Sequence, residues 1–319
     1  MKKNEFTLCA TKYIARLRVE GRHSTAHVYA NALRSFTMFC GTPSVSFRQI
    51  HRESLKRYAR YLTEAHCKLN TVSTYMRMLR CIYNQGIDAG KAPYIHRLFR
   101  DVFTGVDTQQ KKALPIEALH TLLFVDPKSK RLRKTQSIAQ LLFLFSGMSF
   151  ADLAHLEKKN LERGILKYNR IKTGTPMCVE VLPTARELIQ LLRNKKTSPT
   201  QPDAPDYLFN ILSGEKKKKE LQGYREYQAA LRNFNNQLKK LAKACHIPLP
   251  VTSYSLRHSW ATTAKYRKVP VEMISESLGH KSIKTTQIYL KGFELEERTE
   301  INKLNCCYVK DFHQIKMNS

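Results

Sequence analysis

The stretch "GILKYNRIKTGTPMCVEVLP", residues 164–183, departs from the helical patterning of the rest of the chain. Apolar and polar residues alternate through it, and a turn signal, "TGTP" at residues 173–176, interrupts it. Such alternation around a Gly- and Pro-containing turn is typical of two antiparallel strands. Because no other segment has this pattern convincingly, the sequence predicts a mainly α protein with one small antiparallel β-sheet.

The first hundred residues have the spacing of amphipathic helices. Asn70 is a suitable N-cap for one of them, and the polar face of that helix carries Arg77 and Arg80. The pattern therefore predicts a small helical bundle with basic exposed faces. The apolar stripes that support it are Tyr29, Leu33, Phe36 and Phe39, then Leu55, Ala59 and Leu62, then Val72, Tyr75, Leu79 and Ile82.

A polar, aperiodic stretch, "DVFTGVDTQQKKA" at residues 101–113, separates this bundle from the rest of the chain. We therefore expect a helical domain over residues 1–102, a linker over 103–113, a second domain over 114–305 and a C-terminal tail over 306–319. Within the second domain, helices are expected from Pro115 onward, and the hairpin lies among them.

Charge is the strongest signal in the composition. The 319 residues include 55 Lys and Arg against 26 Asp and Glu, giving a formal net charge of +29. Such a field attracts polyanions, of which nucleic acid is the usual one. The N-terminus has no signal-peptide pattern, and the longest apolar stretch is too short to span a bilayer. We therefore expect a cytoplasmic, nucleoid-associated protein without a membrane partner.

Three short strings in the second half carry the chemistry. They are "RIKTG" (170–174), "SLRHSWAT" (255–262) and "LGHKSIKTTQIY" (278–289). Each is weak alone, but together they resemble the tyrosine recombinase, or phage integrase, family. That resemblance implies a two-domain architecture: a helical SAM-like core-binding domain that grips DNA, then a catalytic domain. The implied function is site-specific recombination, by integration, excision or inversion, as on mobile elements.

The resemblance also implies the roles of four residues. Tyr289 would attack a DNA phosphate and form a 3′-phosphotyrosyl bond, while Arg257 and His280 would hold the phosphate oxygens. Lys172, on the hairpin turn, would protonate the leaving 5′-oxygen. Arg, His and Lys supply charge stabilisation and leaving-group protonation, so no metal or cofactor is expected. The alternative is that these residues are structural, with Tyr289 a packing side chain.

Two positions depart from the family pattern. Ser149, in "FSGMSFADLAHL" (145–156), stands where the family has its first phosphate-binding arginine, although a branch on mobile elements and invertible loci of gut anaerobes has a similar "GMSF" turn. Arg170 is the candidate substitute, because strand alternation would place it on the same side as Lys172. Tyr254 replaces a histidine, and a phenol is a poor general base near neutral pH.

Partners and alternatives follow from the same resemblance. The expected assembly is a homotetramer on two double-stranded DNA sites, with the tail docked into a neighbouring subunit and accessory DNA-bending proteins as possible helpers. The main alternative is a catalytically weakened DNA-binding regulator, and a third is an enzyme that relaxes supercoils like a type IB topoisomerase. Candidate phosphate contacts are Arg77, Arg80, Lys265, Arg267 and Lys268.

Overall fold

The computed structural model describes residues 5–107, 113–194, 204–215 and 220–290, together with positions 299 and 303. Within them the chain is mainly helical, with one three-stranded antiparallel sheet, which confirms the predicted fold class. The chain divides into two units: residues 1–109 with 194–232, and residues 110–193 with 233–319. None of the described helices combines the length and apolar character needed to cross a lipid bilayer.

The first unit is built on four helices around an aromatic core. Phe6, Phe36 and Tyr58 are completely buried, and their rings meet edge to face at centroid distances of 5.0–6.1 Å. Edge-to-face pairs add to the stabilisation that burial of the rings already gives. The helices are α1 (Glu5–Val19), α2 (His23–Phe39), α3 (Arg52–Glu64) and α4 (Leu69–Asp88).

Asn70 does not cap α4, so that prediction is wrong. The helix starts at Leu69, two residues earlier than an Asn70 cap would imply, with Lys68 in the N-cap position. The Asn70 amide instead donates to the Asp107 carbonyl and accepts from the Asp107 N–H, both at 2.8 Å. A carboxamide can satisfy both backbone groups of one residue, and this use ties the end of the segment after α4 back to its first turn.

The second unit contains the sheet and most of the remaining helices. Its central helices pack through buried leucines, among them Leu141 and Leu142 on α6 and Leu256 on α10. The elements in chain order are α5 (Ile116–Phe124), α6 (Lys130–Leu144), α7 (Phe150–Ala154), β1 (Leu161–Glu162), β2 (Ile165–Asn169), β3 (Pro176–Glu180), α8 (Pro183–Leu192), α9 (Leu221–Ala244), α10 (Ser253–Tyr266), α11 (Val271–Ser277) and α12 (Ile283–Tyr289). Helix α9 begins within the residues assigned to the first unit.

The sheet has the predicted hairpin at its centre. Strands β2 and β3 are antiparallel with Asn169 opposite Pro176, and β1 adds a short third strand on the other edge of β2. The loop between β2 and β3 is closed by two backbone hydrogen bonds of 2.8 Å, from Arg170 N–H to the Thr175 carbonyl and from Gly174 N–H to the Arg170 carbonyl. This loop, residues 170–175, carries Arg170 and Lys172 and is called the hairpin loop below.

Candidate active site

The corner between α6 and α7 is capped by Ser149. Its Oγ accepts a hydrogen bond from the Asp152 N–H at 3.2 Å, the bond that a serine N-cap typically makes. The same hydroxyl donates to Asp152 Oδ2 at 2.7 Å. Ser149 is therefore occupied by a local bond on α7, and it brings no positive charge to this corner.

Asp152 joins α7 to the hairpin loop. Its side chain is only 2% exposed. Oδ1 accepts from the Ile171 N–H at 2.8 Å, and Oδ2 lies 3.4 Å from Nε of Arg170. A buried carboxylate needs such charged and hydrogen-bonding partners. It thereby holds the first residues of the loop in place.

Arg170 turns into the protein from the start of the hairpin loop. It is 6% exposed, and its Nη1 donates to the carbonyls of Leu278 and Gly279 at 2.9 and 3.0 Å. Gly279, with φ +62°, ends α11 and leaves room for this side chain. A Cβ there would lie 2.5 Å from Arg170 Cδ. The absence of a side chain at residue 279 is thus a condition for the position of Arg170.

The Arg257 side chain, on α10, reaches the same end of α11 as Arg170. It is 2% exposed, and its Nη1 donates to the Gly147 carbonyl at 2.7 Å. Its Nη2 donates to the Leu278 carbonyl at 2.5 Å, the acceptor that Arg170 also uses. Two guanidinium groups that share one carbonyl oxygen lie close together. Backbone carbonyls from the α6–α7 corner and the end of α11 offset part of their repulsion.

His280 completes this cluster. Nε2 lies 3.2 Å from Arg257 Nη2, and Nδ1 lies 2.9 Å from Thr286 Oγ1. Burial is the main cause that lowers the pKa of His280 to about 4, and the positive charges of Arg257, Arg170 and Lys172 lower it further, as does His258. A guanidinium can only donate, so Nε2 accepts, and the neutral ring carries its proton on Nδ1.

Lys172 and Arg170 do not share a face, so the prediction from strand alternation is wrong. Strand β2 ends at Asn169, and the loop that follows buries Arg170 while leaving Lys172 exposed. The alternation of a strand does not extend into a loop whose N–H groups bond elsewhere. Lys172 still lies near enough to influence the pKa of His280.

The two tyrosines of the sequence analysis differ in what can be said of them. Tyr254 is 38% exposed on α10, with its ring edge-on to that of His258 at 5.3 Å. Tyr289 is the last residue of α12, and its side chain lies outside the described part of the chain.

Tyr168 and Thr286 are members of the site that the sequence analysis did not single out. Burial raises the pKa of Tyr168, and the Asp152 carboxylate raises it further. Its position on β2, two residues before Arg170, is the only sequence signal for it. Thr286 is completely buried against His280. The sequence signal for Thr286 was its position between His280 and Tyr289.

The five candidate phosphate contacts form two groups, one on α4 in the first unit and one around the C-terminal end of α10 in the second. Arg77 is half-buried on α4, with Nη2 3.5 Å from Thr74 Oγ1, and Arg80 is exposed on the same helix. The other three lie at or just after the C-terminal end of α10: Lys265 is half-buried, and Arg267 and Lys268 are exposed. A role in DNA contact stays a prediction for all five.

The cluster can stabilise negative charge on a small oxyanion. Arg257 and Arg170 are buried and fixed by backbone carbonyls, so their donors are preorganised rather than solvated. Such donors act most strongly on charge that develops during a reaction. The lysine of the hairpin loop adds an exposed proton donor, and α12, which holds Thr286 against His280, ends at Tyr289.

Family models match both parts of the chain. Residues 5–96 match the phage integrase SAM-like domain, and residues 114–295 match the phage integrase family. The chain is 28% identical over 210 residues to a probable integrase/recombinase protein of Methanocaldococcus jannaschii, covering 64% of this chain and 60% of that one. It is 23% identical over 304 residues to a tyrosine recombinase of Pseudothermotoga lettingae, covering 92% of this chain and 95% of that one.

Solved structures share the fold. The Tn1549 transposon integrase in complex with circular intermediate DNA superposes with a TM-score of 0.66 at 16% identity, over 93% of this chain and 98% of that one. A lambda integrase dimer bound to a COC′ core site gives a TM-score of 0.65 at 12% identity, over 90% of this chain and 98% of that one. At these identities the likeness concerns the fold.

Proposed function

The chain belongs to the phage integrase family and is a site-specific DNA recombinase, and we propose that it cuts and rejoins DNA through Tyr289. One observation carries the assignment of the site: Arg257, Arg170 and His280 converge around the Leu278 carbonyl, at the end of the helix that precedes α12. This convergence supports a phosphate site next to the nucleophile's helix.

The proposed reaction is a transfer of the DNA phosphate to tyrosine. The Tyr289 hydroxyl loses its proton to water, and its oxygen forms a bond to phosphorus while the bond to the 5′-oxygen breaks. Arg257 and His280 hold the non-bridging oxygens, and Lys172 gives its proton to the leaving 5′-oxygen. Tyr254 adds a neutral hydroxyl. The 3′-phosphotyrosyl bond stores the phosphodiester, so a 5′-hydroxyl can reverse the reaction and join strands.

Arg170 takes the place of the arginine that Ser149 cannot supply. The Ser149 hydroxyl is bonded to Asp152, whereas the Arg170 guanidinium lies beside that of Arg257 and shares its carbonyl acceptor. A second planar, charged donor then faces the phosphate, as the chemistry needs. Asp152 holds it there through Nε.

A nicked suicide substrate tests the proposal. A search of the DNA that flanks the gene for inverted repeats supplies the candidate site, and the nick lets the short fragment with the free 5′-hydroxyl diffuse away after cleavage. We expect wild type to form a covalent protein–DNA complex and Tyr289→Phe to form none while binding the same DNA. Specific binding with no covalent complex from wild type would instead favour the DNA-binding regulator.

Recombination between two sites separates the proposal from supercoil relaxation. We expect wild type to exchange strands between two copies of the site and to yield inverted, integrated or excised products according to their orientation. Relaxation of a supercoiled plasmid without any crossing-over would favour a topoisomerase-like enzyme. Tyr289→Phe should show neither activity.

The assembly and the domain roles are part of the same proposal. Residues 1–102 would form the core-binding domain on nucleoid DNA and residues 114–305 the catalytic domain, joined by the 103–113 linker. Four copies would hold two DNA sites, each tail (306–319) docking into its neighbour, with accessory bending proteins where the site requires them. The tail lies outside the described residues. Removing it should leave binding to a single site intact and prevent the four-copy complex in mass photometry.

A further inference from the structure

Thr286 links the helix of the nucleophile to the phosphate site. It lies in α12, three residues before Tyr289, and its side chain is completely buried. Its Oγ1 is 2.9 Å from Nδ1 of His280. Residues three apart on a helix lie on the same face, so positions 286 and 289 share one face of α12.

In the protein without DNA, the protonated nitrogen of His280 is not the one that would donate to a phosphate oxygen. Nε2 accepts a hydrogen bond from Arg257, so the proton is on Nδ1 and is donated to Thr286. A phosphate oxygen has no hydrogen and requires a donor at Nε2. The ring must therefore change its proton position, or gain a second proton, when DNA enters.

A second proton is disfavoured by the charges that face the ring. Arg257 and His258 face it from α10, and Arg170 and Lys172 face it from the hairpin loop. Together with burial, these groups hold the pKa of His280 near 4, well below neutrality. The phosphate brings one negative charge, which offsets only part of this field.

We infer that Thr286 is a positioning residue that lets neutral His280 change from acceptor to donor at Nε2 when a DNA phosphate binds. A hydroxyl accepts and donates, so it pairs with either form of Nδ1. Without phosphate it accepts from Nδ1–H; with phosphate it donates to Nδ1, and Nε2–H points to the phosphate oxygen. The ring keeps one proton and no net charge throughout. The inference rests on the proposed function.

A valine at residue 286 can neither donate to nor accept from Nδ1, so it cannot pair with either neutral tautomer of His280. It keeps the shape of threonine but removes the hydroxyl that Nδ1 bonds, which destabilises the neutral donor form. His280 would then donate to the phosphate mainly as the imidazolium. The reaction would gain a dependence on acid that wild type lacks.

Three variants on the nicked substrate test this point. We expect Thr286→Val to slow covalent complex formation on the order of tenfold, as loss of an outer partner of a ligating histidine does, with little change in DNA affinity. Its rate should rise as the pH is lowered from about 8 to about 6, while wild type changes less. Thr286→Ser should behave like wild type. Thr285→Val, at the exposed neighbouring threonine, controls for valine in α12.

Two outcomes would overturn the inference. Thr286→Val with the rate and pH profile of wild type would show that the hydroxyl is not needed. Equal losses in Thr286→Ser and Thr286→Val would assign the effect to shape alone. Failure of wild type itself to form a covalent complex would count against the proposed function instead.

A measurement that leaves Thr286 and His280 unchanged does not depend on the residue 286 variants folding. Nitrogen NMR of ¹⁵N-histidine-labelled Tyr289→Phe protein reports which ring nitrogen of His280 carries the proton. We expect Nδ1–H in the free protein and Nε2–H in the complex with uncut DNA. The same tautomer in both states, or a doubly protonated ring with DNA, contradicts the inference.

Discussion

At the residue scale, the site we propose replaces a missing cation from a different element: Arg170, on the hairpin loop, takes the role that Ser149 cannot fill. Ser149 and Arg170 are both bonded to Asp152, at Oδ2 in each case. The carboxylate therefore connects the position that lacks the arginine to the one that supplies it. A neutral hydroxyl provides roughly half the strength of a charge-assisted donor, so Ser149 alone would not compensate.

Removing the Arg170 guanidinium should slow cleavage strongly. We expect Arg170→Ala to reduce the rate of covalent complex formation on the order of a hundredfold, the usual effect of losing one transition-state donor. Arg170→Lys keeps the charge but not the planar fork and should recover only part of the rate. Adding Ser149→Arg to Arg170→Ala should also restore part of it. An unchanged rate in Arg170→Ala would rule out the substitute role.

His280 should make the folded protein sensitive to acid. Its pKa is lowered to about 4, by burial first and then by Arg257, from an ordinary value of 6.5. Between those values the unfolded chain binds more protons than the folded protein, so the free energy of unfolding falls as the pH falls. After allowance for solvent screening we expect about 1 kcal/mol less between roughly pH 7 and 5.

Urea unfolding of wild type and His280→Gln measures this contribution. The variant should lose less stability on acidification than wild type, because glutamine does not titrate. The other histidines contribute equally to both proteins and cancel in the comparison. Parallel losses in the two proteins would show that His280 is not the acid-sensitive group.

The identities of the site residues could be predicted from the sequence better than their placement. Motif spacing pointed to Arg257 and His280, which the structure brings within hydrogen-bond distance. The burial of Arg170 could not be predicted, because it depends on carbonyls more than 100 residues away at Leu278 and Gly279. The role of Asp152 depends on the same long-range contacts.

At the element scale, the end of α11 determines where the side chains of Arg170 and Arg257 lie. Gly279 has a left-handed backbone, and the carbonyls of Leu278 and Gly279 face the guanidinium groups. Non-glycine residues adopt this backbone only with strain. Residue 279 therefore favours glycine for two reasons: the backbone is left-handed there, and the Arg170 side chain fills the space that a Cβ would need.

Two glycine variants separate these reasons. Gly279→Ala should destabilise the protein by about 2–4 kcal/mol, from left-handed strain and from contact with Arg170 Cδ and Met177 Sδ. Gly174→Ala, at φ +70° with no atom within 4 Å of a Cβ, should lose only about 1–2 kcal/mol. Thermal and urea unfolding compare them. Equal losses would mean that the side chains of Arg170 and Met177 move away from the added methyl group with little loss of stability.

Helices were easier to predict than strands and loops. The periodicity of buried residues located α2, α3 and α4 because each exposes one polar face. Strand β1 was missed, since two residues carry no detectable alternation. The wide hairpin loop was also missed, because its shape depends on the bond from the Ile171 N–H to Asp152 rather than on turn residues.

At the scale of the whole molecule, the net charge of +29 should dominate the salt dependence of DNA binding. Each phosphate contact releases condensed counterions, so affinity falls steeply as salt rises. Arg80 is exposed on α4, and Arg80→Gln should lower the slope of log K against log salt by about 1. Affinity for specific and unrelated DNA should fall together.

Binding titrations at several salt concentrations measure this slope. A loss confined to the specific site would show that Arg80 reads a base rather than a phosphate. An unchanged slope would place Arg80 outside the DNA contact. Arg77→Gln, at the half-buried neighbour on the same helix, gives the comparison for a side chain partly held by Thr74.

The carboxylate of Asp152 has a consequence for the charge of the resting site. It offsets one of the three positive charges that Arg170, Arg257 and Lys172 bring, while His280 stays neutral. Two positive charges remain. A DNA phosphodiester carries one negative charge, and the five-coordinate phosphorus formed during transfer carries two. In the transfer we propose, the two positive charges match the five-coordinate phosphorus better than the substrate until Lys172 gives its proton to the leaving 5′-oxygen, and such preferential stabilisation of the transition state accelerates a reaction.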